Sequence, residues 1–334
     1  MSLRDFFFIT ALAVLIGYVM VAGKAVLLPI VVAVMLSYVL VGAVDEMSGW
    51  PALRTLPRWA LFTIALAIFG LALTSIGLVA IANLRNIATA APQYQENVIA
   101  LIGRGARAVG IHDVPTWETL RAVTLDRVDL GSFSIGLVGS LAAIVGYTVL
   151  IITYVAFLVA ERGNFDRKID LIFDTKGERA TAVRVIGRIN EQIVTYLFTK
   201  TLTNIVLGLI SYVLMLTLGI DNAVFWAFLI AIFNYIPYVG SLMGVGVVVL
   251  YVAAQTGALR PSAAALVLLT GAQVFVGNWF EPRMMARSMN LSPFVVLAAL
   301  VVWSSLWGLA GAIIAVPMTS ILMIILAAFQ TTRP

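Results

Sequence analysis

"AVFWAFLIAIFNYIPYVGSLMGVGVVVLYVAA", Ala223 to Ala254, runs for 32 residues without a Lys, Arg, Asp or Glu. As one straight helix it would measure about 48 Å, whereas the hydrocarbon of a bilayer is roughly 30 Å thick. The segment must fold back, either as two spans or as a re-entrant hairpin, and "IFNYIPYVGS", Ile232 to Ser241, marks the place. Pro237 has no N–H and disfavours helix at Ile236, while Gly240 permits a left-handed turn or a close backbone approach. Asn234, Tyr235, Tyr238 and Ser241 supply side-chain donors and acceptors at the break. Irregular backbone at membrane depth survives only where protein or a water-filled cavity covers it.

The rest of the chain reads the same way. Of 334 residues 62% are hydrophobic and 11% charged, against roughly 25% charged in soluble domains. The apolar runs are continuous and do not alternate at period two, which excludes a membrane barrel. The expected fold class is all-α, a polytopic integral membrane protein. Spans are expected at Phe6 to Val21, Ala25 to Val44, Trp59 to Ala82, Leu137 to Ala160, Leu202 to Leu218 and Ser262 to Phe280. The first has the look of a signal peptide, but its length and the poor cleavage site Val21-Ala22-Gly23 favour an uncleaved span.

A second long uncharged segment, Pro293 to Phe329, contains "WSSLWGLAGAIIAVPMTS" with Gly308, Gly311 and Pro317, and must also fold back. Following the chain through the membrane, the two broken segments hang from opposite sides, a span plus hairpin repeated with inverted topology. Secondary transporters place their sites near the tips of such broken helices.

Five segments are expected: a three-span region 1–82, an extracytoplasmic helical loop 83–136, a fourth span 137–160, a basic cytoplasmic region 161–200, and a transport core 201–334. With both termini cytoplasmic, fourteen of the 21 Lys and Arg lie inside, the orientation that the positive-inside rule favours. In Gly177 to Thr199, Ile186, Ile189, Ile193 and Leu197 recur at helical spacing opposite Arg184 and Arg188. Such a helix suits anionic headgroups, or equally packs on its own protein. Pro115 and Thr116 suggest a further helix start in the outer loop.

Chemical motifs are absent. No cysteine exists for a disulfide or a thiolate site, and the single histidine, His112, falls in a polar loop, so zinc and histidine-triad chemistry lack their residues. No phosphate-binding GxxxxGK[ST], GxSxG or kinase motif set occurs. No cofactor and no enzyme activity are expected. The dispersed basic residues, not interleaved with aromatics, give no nucleic-acid footprint.

Ionisable groups at membrane depth are suspected of function. Glu281 closes the last single span, between Asn278 and Pro282 and eight residues after Gln273. It reads as a salt-bridge partner of Arg283 or Arg287, as a tie between loop and hairpin, or as a coupling or gating group. Asp221 is expected to cap the helix after it. Asn204 in an apolar helix reads as an interhelical hydrogen bond or a ligand, and Gly240 with Gly244 as a packing pair or a tight turn.

"VFWAFLIAIFNYIPYVGS" from Val224 and "NWFEPRMMARSMNLSPFVVLAALVVWSSLWGLAGAIIAVPM" from Asn278 resemble the two signature regions of the autoinducer-2 exporter family. The likeness extends more weakly to Pro29 and Tyr38 and to "VRVIGRINEQIVTYL". It puts Pro237, Tyr238, Gly240, Glu281, Pro282, Leu291 and Pro293 at family motif positions; Ser241 stands where proline is common and Ala286 where glycine is. The resemblance implies a bacterial inner-membrane permease, homo-oligomeric, of a family whose members export autoinducer-2 or exchange sodium and protons. The expectation is a secondary transporter moving a small polar solute outward. Asn204, Asn234, Tyr235, Pro237, Tyr238, Gly240, Ser241, Gln273 and Asn278 would line its pathway. Glu281, Pro282, Pro293, Gly308, Gly311 and Pro317 would couple or gate it. A sodium/proton antiporter, and a scaffold or sensor without flux, are the alternatives.

Overall fold

The computed structural model describes residues 3–108, 146, 148–161, 176–284 and 291–331. His112, Pro115, Thr116, Ala286 and Arg287 lie outside them. In chain order the helices are α1 (Leu3–Ala22), α2 (Lys24–Ser48), α3 (Arg58–Ala108), α4 (Thr148–Glu161), α5 (Lys176–Thr217), α6 (Ala223–Phe233), α7 (Val239–Thr256), α8 (Leu259–Phe275), α9 (Glu281–Met284) and α10 (Pro293–Thr331). A π-helical turn, Val276–Phe280, joins α8 to α9. Among the described residues six helices are long and apolar enough to cross a membrane. The chain is an all-α, multi-pass membrane protein.

Two segments read separately from sequence, Gly177 to Thr199 and Leu202 to Leu218, form the single helix α5. No proline interrupts it, and Lys200 and Thr201 are compatible with continued helix. The span from Trp59 likewise continues without a break through Ala82 to Ala108. Of the expected fourth span only Gly146 and Thr148 to Ala160 are among the described residues.

The chain divides into two compact units. The first comprises Met1–Leu66, Gly146–Thr199 and Met285–Pro334. Its core gathers Met35 of α2, Ile193, Tyr196 and Leu197 of α5, and Trp307, Ile314 and Val316 of α10. Gly42 lets α2 approach the Phe198 ring, which a Cβ would meet at 3.0 Å, and the Tyr38 hydroxyl donates to Asn190 Oδ1 at 2.6 Å. The α5 face bearing Ile193 and Leu197 therefore packs on protein, while Arg184 and Arg188 are exposed.

The start of α10 follows from "LSP". Ser292 Oγ accepts from the Val295 N–H at 3.3 Å, Pro293 takes the first helical position, where its missing N–H costs nothing, and Leu291 and Val296 pack on the same core cluster, a hydrophobic staple. At Gly308 (φ 64°, ψ −141°) the helix breaks. Trp303 Nε1 donates to Thr319 Oγ1 at 3.0 Å, although sixteen residues of straight helix would separate them by about 24 Å; α10 is thus a hairpin. The break is confined to Gly308 and its neighbours. Pro317 does not belong to it but sits inside the returning arm, where membrane helices tolerate proline.

The second unit comprises Ala67–Val145 and Lys200–Met284. Leu207, Met215, Trp226, Ile230, Val248, Val252 and Leu269 form its core. On α5 the buried stripe Asn204, Leu207, Ser211 and Met215 faces inward, and Ile205, Leu209, Val213 and Leu216 are exposed, as suits a helix in hydrocarbon. The helix ends at Gly219 (φ 66°): the Ile220 N–H reaches Met215 O at 3.0 Å and the Gly219 N–H reaches Leu216 O at 3.1 Å, a Schellman closure. This turn overrides the expected cap. Asn222, left-handed at φ 56°, precedes α6, and the Asp221 N–H instead meets Gln255 Oε1 at 3.2 Å.

Candidate functional site

Helix α6 has 11 residues, about 16 Å of rise, too short to cross a bilayer alone. Its C-terminal end leads directly into the turn from Asn234 to Tyr238. The turn there is tight. The Val239 N–H bonds to Pro237 O at 2.6 Å, with Tyr238 between them at φ 60°, ψ −55°, the rare and strained form of γ-turn. Gly240 is the residue that closes it: a Cβ there would overlap the carbonyl of Phe233. That clash explains glycine at 240 by the turn, while a Cβ on Gly244 would lie 3.4 Å from Ile230 Cα, an ordinary packing contact.

Two side chains fasten this tip to α5. Asn234 Nδ2 donates to Asn204 Oδ1 at 2.8 Å, and the hydroxyls of Tyr235 and Thr201 share a hydrogen bond of 2.8 Å. One turn back along α5, Lys200 Nζ donates to Glu281 Oε1 at 2.7 Å and Oε2 at 2.9 Å. The side chains of this pair are 8% and 19% exposed, so both charges are largely out of water. Thr203, fully buried, bonds back to Lys200 O at 3.1 Å.

The partner of Glu281 is thus Lys200, not Arg283. Residues two apart on a helix do not share a face. Arg283 instead lies over the Trp279 ring, 3.7 Å from its centroid, and donates to Trp279 O at 2.8 Å. The π-helical turn just before Glu281 shifts the helical register there, as π turns at functional sites do. In the sequence Lys200 is hidden at the end of the basic stretch that precedes it. Its signal is that it is the last charge before an uncharged run reaching to Asp221.

The anticipated residues fall into groups. Asn204, Asn234, Tyr235 and Glu281 line one polar cluster with Lys200, Thr201 and Thr203. Pro237, Tyr238 and Ser241 form the hairpin tip, where Tyr238 is exposed, Ser241 is half-buried and Ser241 Oγ donates to Tyr238 O at 2.9 Å. Gln273 is half-buried with Nε2 lacking a partner among the described residues. Asn278 and Pro282 are exposed. In the first unit, Gly311 is held by the same constraint as Gly240, since a Cβ would overlap Trp303 O. Beside it Trp307 Nε1 donates to Met20 O at 2.9 Å.

Comparison with known proteins agrees in class with this arrangement. A family model described as AI-2E family transporter matches residues 7–331, and the chain belongs to that family. It is 26% identical to the AI-2 transport protein TqsA of Escherichia coli over 90% of this chain and 85% of that one. It is 24% identical to a "Putative transport protein" of Haemophilus influenzae, over 97% of this chain and 93% of the other. A protein of the same description from Borreliella burgdorferi is 32% identical, the match spanning 54% of this chain and about half, 51%, of the relative.

Proposed function

We propose that this member of the AI-2E family is a secondary transporter that moves a small polar solute out of the cell, with the Lys200–Glu281 pair coupling or gating the movement. One observation carries the reading. In a protein whose surface and core are apolar, two asparagines, a largely buried ion pair and two hydroxyl bonds gather beside the turn of the α6–α7 hairpin. Ionisable groups at that depth are costly and mark pathways and proton relays. Strained backbone at Tyr238 adds a segment poised to change conformation.

The solute proposed is of the autoinducer-2 kind, by the name of the TqsA relative. Sodium/proton exchange is the second reading, favoured by the presence of a full charge pair in place of neutral hydrogen-bonding groups alone. The proposed setting is the bacterial inner membrane, with cytoplasmic termini, a homo-oligomeric assembly, and the exposed Arg184 and Arg188 facing anionic headgroups. The deciding experiment is flux into proteoliposomes of autoinducer-2, sodium and protons, side by side, for the natural chain and Glu281→Gln. Loss of one flux with the fold retained supports the coupling role; flux and pH response that survive the change overturn it.

A further inference from the structure

Four buried polar atoms in the second unit lack a hydrogen-bond partner among the described residues: Asn204 Nδ2, Ser211 Oγ, Trp226 Nε1 and Gln273 Nε2. Asn204, Ser211 and Trp226 are 2%, 1% and 7% exposed. A polar group buried without a partner is unfavourable, and lipid hydrocarbon offers no hydrogen bond to relieve it. One such atom is an oddity; four in one unit call for a common cause.

They fall in order along the unit. Asn204 bonds to Asn234, and a Cβ on Gly208 would lie 3.3 Å from Ala231 Cβ and 3.6 Å from Ala227 O. Helices α5 and α6 therefore run antiparallel, which brings Ser211 level with Trp226. A Cβ on Gly244 of α7 would lie 3.4 Å from Ile230 Cα, so these two residues are level. Because α7 and α8 are antiparallel neighbours joined through Gly257 and Ala258, Gln273 comes level with Gly244, between the levels of Asn204 and Ser211. Beyond Trp226 the series ends in hydroxyls: the Trp226 ring lies 4.6 Å from that of Tyr251, and Tyr251 Oη is 3.1 Å from Asn222 Nδ2 and 3.2 Å from Tyr94 Oη. From Lys200 to the level of Asn222, near Met215, is about 22 Å of helix rise, most of the hydrocarbon thickness.

We propose that these side chains line a hydrated file inside the second unit, running from the Lys200–Glu281 pair to the Tyr94–Tyr251–Asn222 cluster. Buried water characteristically makes about three hydrogen bonds to groups otherwise unsatisfied, which is the deficit that this series presents. Three of the four unmet atoms are N–H donors, and a hydroxyl serves either way. The file therefore fits water and an oxygen-rich solute that can replace it, and fits poorly a bare cation, which needs oxygen ligands. The solute part rests on the transport reading above; the hydration does not.

The chain has no cysteine, so single thiols can be introduced without further change. Ser211→Cys would be exposed in proteoliposomes to silver ion, which travels in water and not in lipid, and its protection from later alkylation in detergent measured. Leu209→Cys on the exposed apolar face, Ala265→Cys in the dry core and Asp221→Cys at the exposed turn are the comparisons. Reaction of Ser211→Cys at least tenfold faster than Leu209→Cys and Ala265→Cys supports the file. A rate equal to theirs, with Asp221→Cys reacting, overturns it. Since no transport is measured, failure of the flux assay counts against the transport reading alone.

Discussion

Lys200 and Glu281, 81 residues apart in sequence, meet through both carboxylate oxygens at 2.7 and 2.9 Å with little of either side chain open to solvent. Taking two charges out of water is unfavourable, and only their mutual attraction offsets it. Removing one partner leaves the other stranded, at a cost of about 3–5 kcal/mol. Lys200→Met is expected to lower the melting temperature in detergent sharply, and Lys200→Met with Glu281→Leu to recover most of the loss. A double variant no more stable than the single one would show that the pair is not what holds these helices together.

Gly240→Ala is expected to disrupt the first hairpin, because its Cβ would overlap the Phe233 carbonyl and backbone cannot yield as a side chain would. Gly311→Ala meets Trp303 O in the second hairpin in the same way. Losses above about 4 kcal/mol belong to this kind of clash, and size-exclusion profiles and thermal melts would register them. Gly246→Ala and Gly271→Ala, where nothing lies within 4 Å, are the matched controls and should be neutral.

Tyr238→Gly should raise stability while lowering flux. A non-glycine residue at φ 60° carries roughly 1 kcal/mol or more of strain, which glycine relieves. If that strain poises the tip to move, relaxing it slows transport; a variant that is more stable and equally active would separate the strain from function.

Asn97 and Arg104 of α3 hold the end of α7. Asn97 Nδ2 donates to Ala254 O and Gln255 O at 2.9 and 2.8 Å, and Arg104 donates to Gly257 O. These carbonyls have no partner within a helix end. Asn97→Ala should cost about 1–2 kcal/mol and speed amide exchange around Thr256 to Ala258, readable by mass spectrometry; unchanged exchange would count against the clasp.

Tyr94 lies on α3 beyond its apolar span, and burial, then its bond to Tyr251, raise the phenol above its ordinary range. The folded state thus holds the proton more tightly than the unfolded one. The associated stability is fully present below about pH 10, the unfolded value, and is lost as pH rises from there toward the folded value. Melting temperature against pH should fall above 10 in the natural chain, and less steeply in Tyr94→Phe.

Sequence alone determined the class and the breaks. Uncharged segments of 32 residues and more cannot cross a bilayer once, and proline and glycine locate where they turn, which is local chemistry. Even so, the second break shrank to Gly308, because Pro317 fits inside a membrane helix. The position before α6 fell to Asn222 because the Schellman turn at Gly219 sets the conformation of the residues after it. The separation of Gly177 to Thr199 from the next span was a matter of charge count, and a helix does not end where charges do.

Tertiary structure alone decided which polar groups meet. Asn204, Asn234 and Glu281 are each legible as suspicious residues in apolar surroundings, but a side chain's partner depends on helix register and distance across dozens of residues. Lys200 prevails over Arg283 because the α5 face brings an ammonium to Glu281, while Arg283 lies on another face of the same helix. The unmet atoms of Ser211 and Trp226 are the plainest case. A serine and a tryptophan in a membrane helix are unremarkable in sequence, and only packing reveals that no protein group among the described residues answers them.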